Sequence, residues 1–191
     1  MPLTLPIDTA ANELLQRSPL ALLIGMVLDQ QVTMEKAFSS PYELQQRLGH
    51  ELDAHELAAY DADTLVAIFS KPPALHRFPR ANAKRVQEVC QILVDRYDGD
   101  AARLWTEAKT GPELFKRVAA LPGFGKQKAQ IFVALLGKQF KVRPAGWREA
   151  AGLFGEQGGH YSVADITDEK SLAKVREHKQ QMKAAAKAGK D

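Results

Sequence analysis

The chain is poor in the residues that would hold a small fold together covalently or through a metal. It has one cysteine, Cys90, in 191 residues. A single thiol excludes an intramolecular disulfide, a four-cysteine zinc site and an iron–sulfur cluster built by one chain. Long apolar runs are also missing. The longest, Leu20–Leu28, is interrupted by Gly25 and is too short to span a bilayer. Met1–Leu5 is not followed by a basic region, an apolar core and a small-residue cleavage site, so a secretory leader is not expected and the cytoplasm is the expected compartment. Sustained period-two alternation and internal repeats are absent too, which argues against sheet and solenoid folds.

A further absence is local. Residues 115–148 contain no acid but eight basic side chains: Lys116, Arg117, Lys126, Lys128, Lys138, Lys141, Arg143 and Arg148. The formal net charge of +3 therefore conceals a polarised chain. Residues 1–70 carry three basic and ten acidic residues, a balance of −7, and residues 71–191 carry 23 and 13, a balance of +10. Such asymmetry favours a polyanionic partner over the second half, although solvated helix faces would leave the same trace.

What is present reads as helix almost throughout, and the fold class is all-α. Ser18-Pro19 is a cap followed by proline at the first helical position, ahead of an apolar face from Leu20 to Leu28. Ser40-Pro41-Tyr42-Glu43 reads as a second helix start, ending before Gly49. Asp53 and Asp61 open two short helices. Val86, Val89, Cys90, Leu93, Val94 and Tyr97 form a stripe of helical period within Ala81–Tyr97, which places Cys90 in the core. A helix is predicted over Ala101–Ala108, another from Thr110 to about Ala120, and a third from Lys126 to Gln139. Residues 168–191 form a basic helical tail in which Leu172, Val175 and Met182 suggest docking and Lys183–Lys190 suggests fraying. The body, residues 1–167, is read as one domain.

Between two of these helices lies Leu121-Pro122-Gly123-Phe124-Gly125-Lys126-Gln127-Lys128-Ala129. Leu121-Pro122 ends one helix, the glycines permit a tight turn, and the next helix begins with unpaired N–H groups. Bare N–H groups, a positive dipole end and Lys126 with Lys128 make an anion site suited to phosphate. It would grip a nucleic-acid backbone without reading bases.

This hairpin, spanning about 114–139, resembles that of the helix–hairpin–helix (HhH-GPD) DNA glycosylase superfamily, which removes damaged or mispaired bases from DNA. Leu28-Asp29-Gln30-Gln31-Val32-Thr33 resembles the family's Leu-x-x-Gln-x-Thr segment, and Phe78-Pro79-Arg80-Ala81-Asn82-Ala83-Lys84-Arg85-Val86 its Tyr-x-x-Lys-Ala-x-x-Ile helix start. The resemblance implies two helical lobes around a cleft, with the hairpin at its rim. It implies double-stranded DNA as partner, contacts through Gln31, Gly123, Phe124, Gly125, Lys126, Gln127 and Lys128, and base-excision repair by a monomer, nucleoid-associated if bacterial. A monovalent cation at the hairpin carbonyls is compatible with it. No iron–sulfur cluster and no other metal site is expected.

The sequence departs from the family at the chemistry. Arg143, in Val142-Arg143-Pro144-Ala145-Gly146-Trp147-Arg148, stands where the resemblance expects the catalytic aspartate. A carboxylate there stabilises positive charge developing on the sugar, whereas arginine repels it and suits phosphate instead. Gln127 stands where strand-cleaving members carry lysine, so a lyase step is not expected. Lys128, about 100° further round the helix, is expected to point elsewhere. Asp29 is the candidate replacement acid, with Glu35 and Glu149 behind it. His76 and His160 lack companions at ligand spacing, and Trp147 is expected in the core. The alternative is a catalytically inactive DNA-binding module on the same scaffold; a weaker one is a protein–protein adaptor.

Overall fold

A computed structural model describes residues 4–190; Met1–Leu3, part of the segment read for a leader, and Asp191, the end of the tail, lie outside them. The described residues form eleven α-helices, two 3-10 turns and one isolated parallel bridge, Thr110–Ala145. The all-α expectation holds.

The first six helices form one group: α1 (Thr9–Arg17), α2 (Pro19–Leu28), α3 (Met34–Leu48), α4 (Ala54–Ala59), α5 (Ala62–Ser70) and α6 (Pro79–Tyr97). The second comprises α7 (Arg103–Thr106), α8 (Gly111–Ala119), α9 (Lys126–Gln139), α10 (Trp147–Ala150) and α11 (Glu169–Ala188). Helices α4 and α5 pack on α6, and α1 and α3 pack on α2. In the second group α8, α10 and the 3-10 turns surround α9. Buried side chains of both groups join in one continuous core. Every residue of α2 from Leu20 to Leu28 is buried, as suits a helix that is apolar all round rather than on one face. No described helix is long and apolar enough to cross a membrane.

Most caps sit where the sequence places them. Side chains of Ser18, Asp53, Asp61, Thr110 and Asp168 accept the N–H that opens α2, α4, α5, α8 and α11. Three expectations need correction. Ser40-Pro41 does not start a helix, because α3 runs through it from Met34. The missing proline N–H leaves the Ala37 carbonyl without its helical partner. The Ser40 hydroxyl, 2.7 Å from the carbonyl oxygens of both Lys36 and Leu75, ties this turn to the loop before α6, while Ala37 and Phe38 are fully buried. The helix expected over Ala101–Ala108 shrinks to α7, since the chain must leave it early to pair Gly111 N–H with the Ala145 carbonyl at 2.7 Å. In the tail, α11 runs as helix from Glu169 to Ala188. Leu172 and Val175 are buried as expected, but Met182 is 56% exposed and faces the cleft described next.

Candidate nucleic-acid interface

A cavity of about 800 Å³ opens where the two helix groups meet. Three walls form it: the hairpin and first turn of α9, the turn after α2, and the outer half of α11.

The hairpin wall follows from its glycines. Gly123 has φ +83°, in the left-handed region, and a Cβ there would collide with the Arg85 side chain. Gly125 is different. Its φ is −77°, and a Cβ would meet nothing within 4 Å. Neither backbone strain nor packing inside the protein calls for glycine at 125, so the space above it is open to something outside the chain. Helix α9 starts without a side-chain cap, and its first internal bond is Ala129 N–H to the Gly125 carbonyl at 3.0 Å. The N–H groups of Lys126, Gln127 and Lys128 are left bare at the positive end of the helix dipole.

The second wall is the turn Asp29–Thr33, held from below by His76. Nδ1 of this buried imidazole accepts the Phe78 N–H at 2.9 Å and lies 2.9 Å from Asn82 Nδ2. Both neighbours are donors there, which fixes the proton on Nε2; that N–H points at the carbonyls of Gln30 (2.9 Å) and Leu28 (3.1 Å). Burial pushes the His76 pKa down, which keeps the ring neutral. With both nitrogens committed, His76 has no role as a metal ligand. The two carbonyls it holds flank Asp29. Gln31 completes the turn at φ +60°, unusual for a side chain larger than glycine.

Asp29 faces the cavity, and its carboxyl raises its pKa through burial, opposed by the cations of Lys179 and Lys128. No hydrogen bond from another described residue holds it. Lys128 reaches the same space. Its Nζ donates to the Val27 carbonyl at 2.8 Å, at the C-terminal end of α2, and lies 5.3 Å from the centre of the Phe124 ring. Burial lowers its pKa to about 8 against the pull of Asp29, with Arg85 adding to the depression. The expectation that Lys128 points away is therefore corrected: the cavity wraps around the start of α9, so both Gln127 and Lys128 line it.

The third wall comes from the basic tail, where the sequence favours a solvated helix end over a nucleic-acid contact. It brings His178, Lys179, Met182 and Lys183 of α11 to the cavity, with Tyr161 stacked edge-on against His178 at 4.8 Å. Arg85 is a further omission, 3.4 Å from Gln30 Oε1 through its guanidinium. The acid-free run after Glu177 was a usable signal for α11. Tyr161 left none, since it lies in a Gly-rich loop without periodicity.

Of the residues singled out from the sequence, Asp29, Gln31, Gly123, Gly125, Lys126, Gln127 and Lys128 come together at the cavity. Phe124 and Arg143 do not. The Phe124 ring is 6% exposed and packs at 6.1 Å from that of Phe132, so only its backbone can meet a ligand. Arg143 lies beyond the far end of α9, where its Nε donates to the Gly137 carbonyl at 2.8 Å. It is absent from the cavity wall, and the adjacent Trp147 is buried as expected. Glu35 is tied to Arg176 on α11 at 2.7 Å, and Glu149 is exposed outside the cavity. No group of three or more His, Cys, Asp or Glu residues is placed to hold a metal among the described residues. Cys90 is fully buried, and burial pushes its thiol pKa up to about 12, which leaves it inert.

The arrangement can hold a phosphate on bare N–H groups beside a lone carboxyl and a cation of lowered pKa. A model of the HhH-GPD superfamily of base excision DNA repair proteins matches residues 24–190. Neither a curated protein nor a solved structure matches.

Proposed function

The chain belongs to the HhH-GPD superfamily of base excision DNA repair proteins, and from that premise we propose that it is a monofunctional DNA glycosylase whose carboxyl group is Asp29. The observation that carries this reading is an acid with no hydrogen-bond partner among the described residues, facing the same cavity as the bare N–H groups of the hairpin.

In this proposal the hairpin takes one phosphate of double-stranded DNA on the N–H groups of residues 126–128. Gly125 lets the backbone come close, and Lys126 adds charge. A base turned out of the stack enters the cavity, and Gln31 fills the space it leaves. As the C1′–N bond breaks, its electron pair leaves with the base and positive charge grows on the sugar, which the Asp29 carboxylate stabilises. Water bonds to C1′ and passes a proton to Asp29; the departing base nitrogen takes up one proton, so the products are free base and an abasic site. The raised pKa of Asp29 suits it to receive that proton. With Gln127 in the lysine position and Lys128 committed to the Val27 carbonyl, no Schiff base forms. The carbonyls of Gly123 and Phe124 accept no hydrogen bond from the described residues, so they fit a monovalent cation that would add charge beside the phosphate. The protein acts as a monomer and carries no iron–sulfur cluster.

The test is base release from duplexes bearing uracil, oxidised bases, alkylated bases and mismatches. Release should occur on one of them and fall at least about a hundredfold in Asp29→Asn, with duplex affinity kept. The acid limb of its pH profile should lie above the ordinary carboxylate range and vanish in that variant, and borohydride should trap no covalent adduct. No release across the panel overturns the proposal. One observation favours a second reading, an inactive DNA-binding module: the segment after α9, Val142–Arg148, contains no acid. Tight binding of every duplex without release would be its signature.

A further inference from the structure

The cation row on α11 belongs to none of the motifs that link this chain to its superfamily. After Glu177 the helix carries Lys179, Lys183 and Lys187 at four-residue spacing with no acid among them. Four residues rise about 6 Å, so the row is about 12 Å long on one face. All three are exposed, and no ion pair among the described residues engages them. One cation in the last turn opposes the negative end of the helix dipole, which accounts for Lys187 at most.

Two further observations show that the row is placed rather than merely solvated. Helix α11 is fixed to the body at its base. A capping box at Asp168 and Ser171 starts it, Leu172 and Val175 are buried, and Arg176 Nη2 sits 2.7 Å from both carboxylate oxygens of Glu35. From that base the helix carries Lys179 and Lys183 into the wall of the cavity that the bare end of α9 also lines. The positive charge of Lys179 is felt at Asp29. Two positive elements from distant parts of the chain thus face one cavity, and the row runs outward from it.

We propose that the α11 row is a second grip on the phosphate backbone of double-stranded DNA, distinct from the hairpin. It rests on the reading that the cavity engages DNA, and it adds a class of contact that the hairpin does not supply. Its physical signature is counterion release. Each lysine that neutralises a phosphate steepens the dependence of log Kobs on log salt by about 0.9.

The experiment measures fluorescence anisotropy of an unmodified labelled duplex across a salt series, with full-length protein. The triple variant Lys179→Gln, Lys183→Gln, Lys187→Gln should flatten the slope by about 2 to 3 and weaken binding more than tenfold at low salt. Glutamine has nearly the same helix propensity as lysine, so helix content by circular dichroism should not change. The corresponding triple arginine variant should restore the slope. A slope within about 0.5 of wild type in the glutamine variant, with the fold intact, overturns the proposal. Gly125→Ala, run in parallel, separates the two readings: loss of affinity there with no change in the triple variant removes the α11 grip and leaves the hairpin. A flattened slope in the triple variant with Gly125→Ala silent does the reverse. A wild-type protein that does not bind the duplex sinks both.

Discussion

The two ends of α9 are finished in opposite ways. At Lys126 the helix begins on an uncapped glycine with three bare N–H groups, an open space above Gly125 and an acid nearby that no other described residue hydrogen-bonds. At the Gln139 end, several polar groups close on partners within the fold. Arg143 Nε closes on the Gly137 carbonyl, Gln139 Nε2 on the Ala164 carbonyl, and Val142 N–H on the Leu136 carbonyl. Lys138 pairs with Asp165 at 2.6 Å, with side chains 12% and 6% exposed. Trp147 packs against Gly137, where a Cβ would collide with its ring. Buried polar groups left unpaired cost a fold 1–3 kcal/mol each, so an end left bare at the rim of a cavity is one that water or a ligand completes. The same helix thus carries a structural terminus and a functional one, and the two should fail differently.

The largest effect is expected at the closed end. Asp165→Asn keeps the shape of the side chain but strands the nearly buried Lys138 ammonium, and it weakens the acceptor that holds Tyr161 N–H at 2.9 Å. Breaking one partner of such a pair costs about 3 kcal/mol. Urea denaturation should show that loss, while duplex affinity below the transition stays near wild type. A stable Asp165→Asn protein would dissolve the contrast between the two ends.

Gly125→Ala probes the open end with the smallest substitution available. The backbone there is in the extended region and the added methyl meets nothing, so stability should move by no more than about 0.5 kcal/mol. Duplex affinity should nevertheless fall about tenfold, equivalent to about 1.4 kcal/mol, because the methyl stands where a phosphate must approach. Anisotropy and thermal melting on the same sample check both halves. An equal loss in affinity and stability would mean that Gly125 serves the fold.

How far the sequence could be read follows the same division. Local signals were sufficient wherever a helix closes on itself: the caps at Ser18, Asp53, Asp61 and Thr110, the bounds of α9 and the burial of Cys90 all follow from nearest neighbours. They misled where a long-range contact decides. Ser40-Pro41 carries the local pattern of a helix start, but the Leu75 carbonyl 35 residues away shares its hydroxyl. The cavity was legible on the two walls that have motifs; on the third, the charge of α11 was legible but its place was not. Nothing local shows that α11 lies beside the start of α9, because the packing of Leu172 and Val175 decides it. Lys128 was misjudged for a related reason: its direction round the helix was right, but the direction only gains meaning once the end of α2 stands opposite.

Arg143 gives the smallest effect and the sharpest discrimination, because sequence and structure assign it different work. From the sequence it is expected at the position of a catalytic acid, in an acid-free stretch, and as a free guanidinium it would bind phosphate. In the fold its Nε is spent on the C-terminal carbonyl of Gly137, where a cation also opposes the negative end of the helix dipole. A phosphate ligand would contribute to the salt dependence of binding; a helix cap would not. Arg143→Gln should therefore cost no more than about 1 kcal/mol of stability, the worth of one charge-assisted bond and a favourable dipole contact at an exposed residue. The slope of log Kobs against log salt should stay within experimental error, whereas one lost phosphate contact would flatten it by about 0.9. Base release should likewise persist, since the residue lies outside the cavity wall. If the slope flattens with stability unchanged, the far end of α9 is a DNA contact after all, and the line between its two termini must be drawn elsewhere.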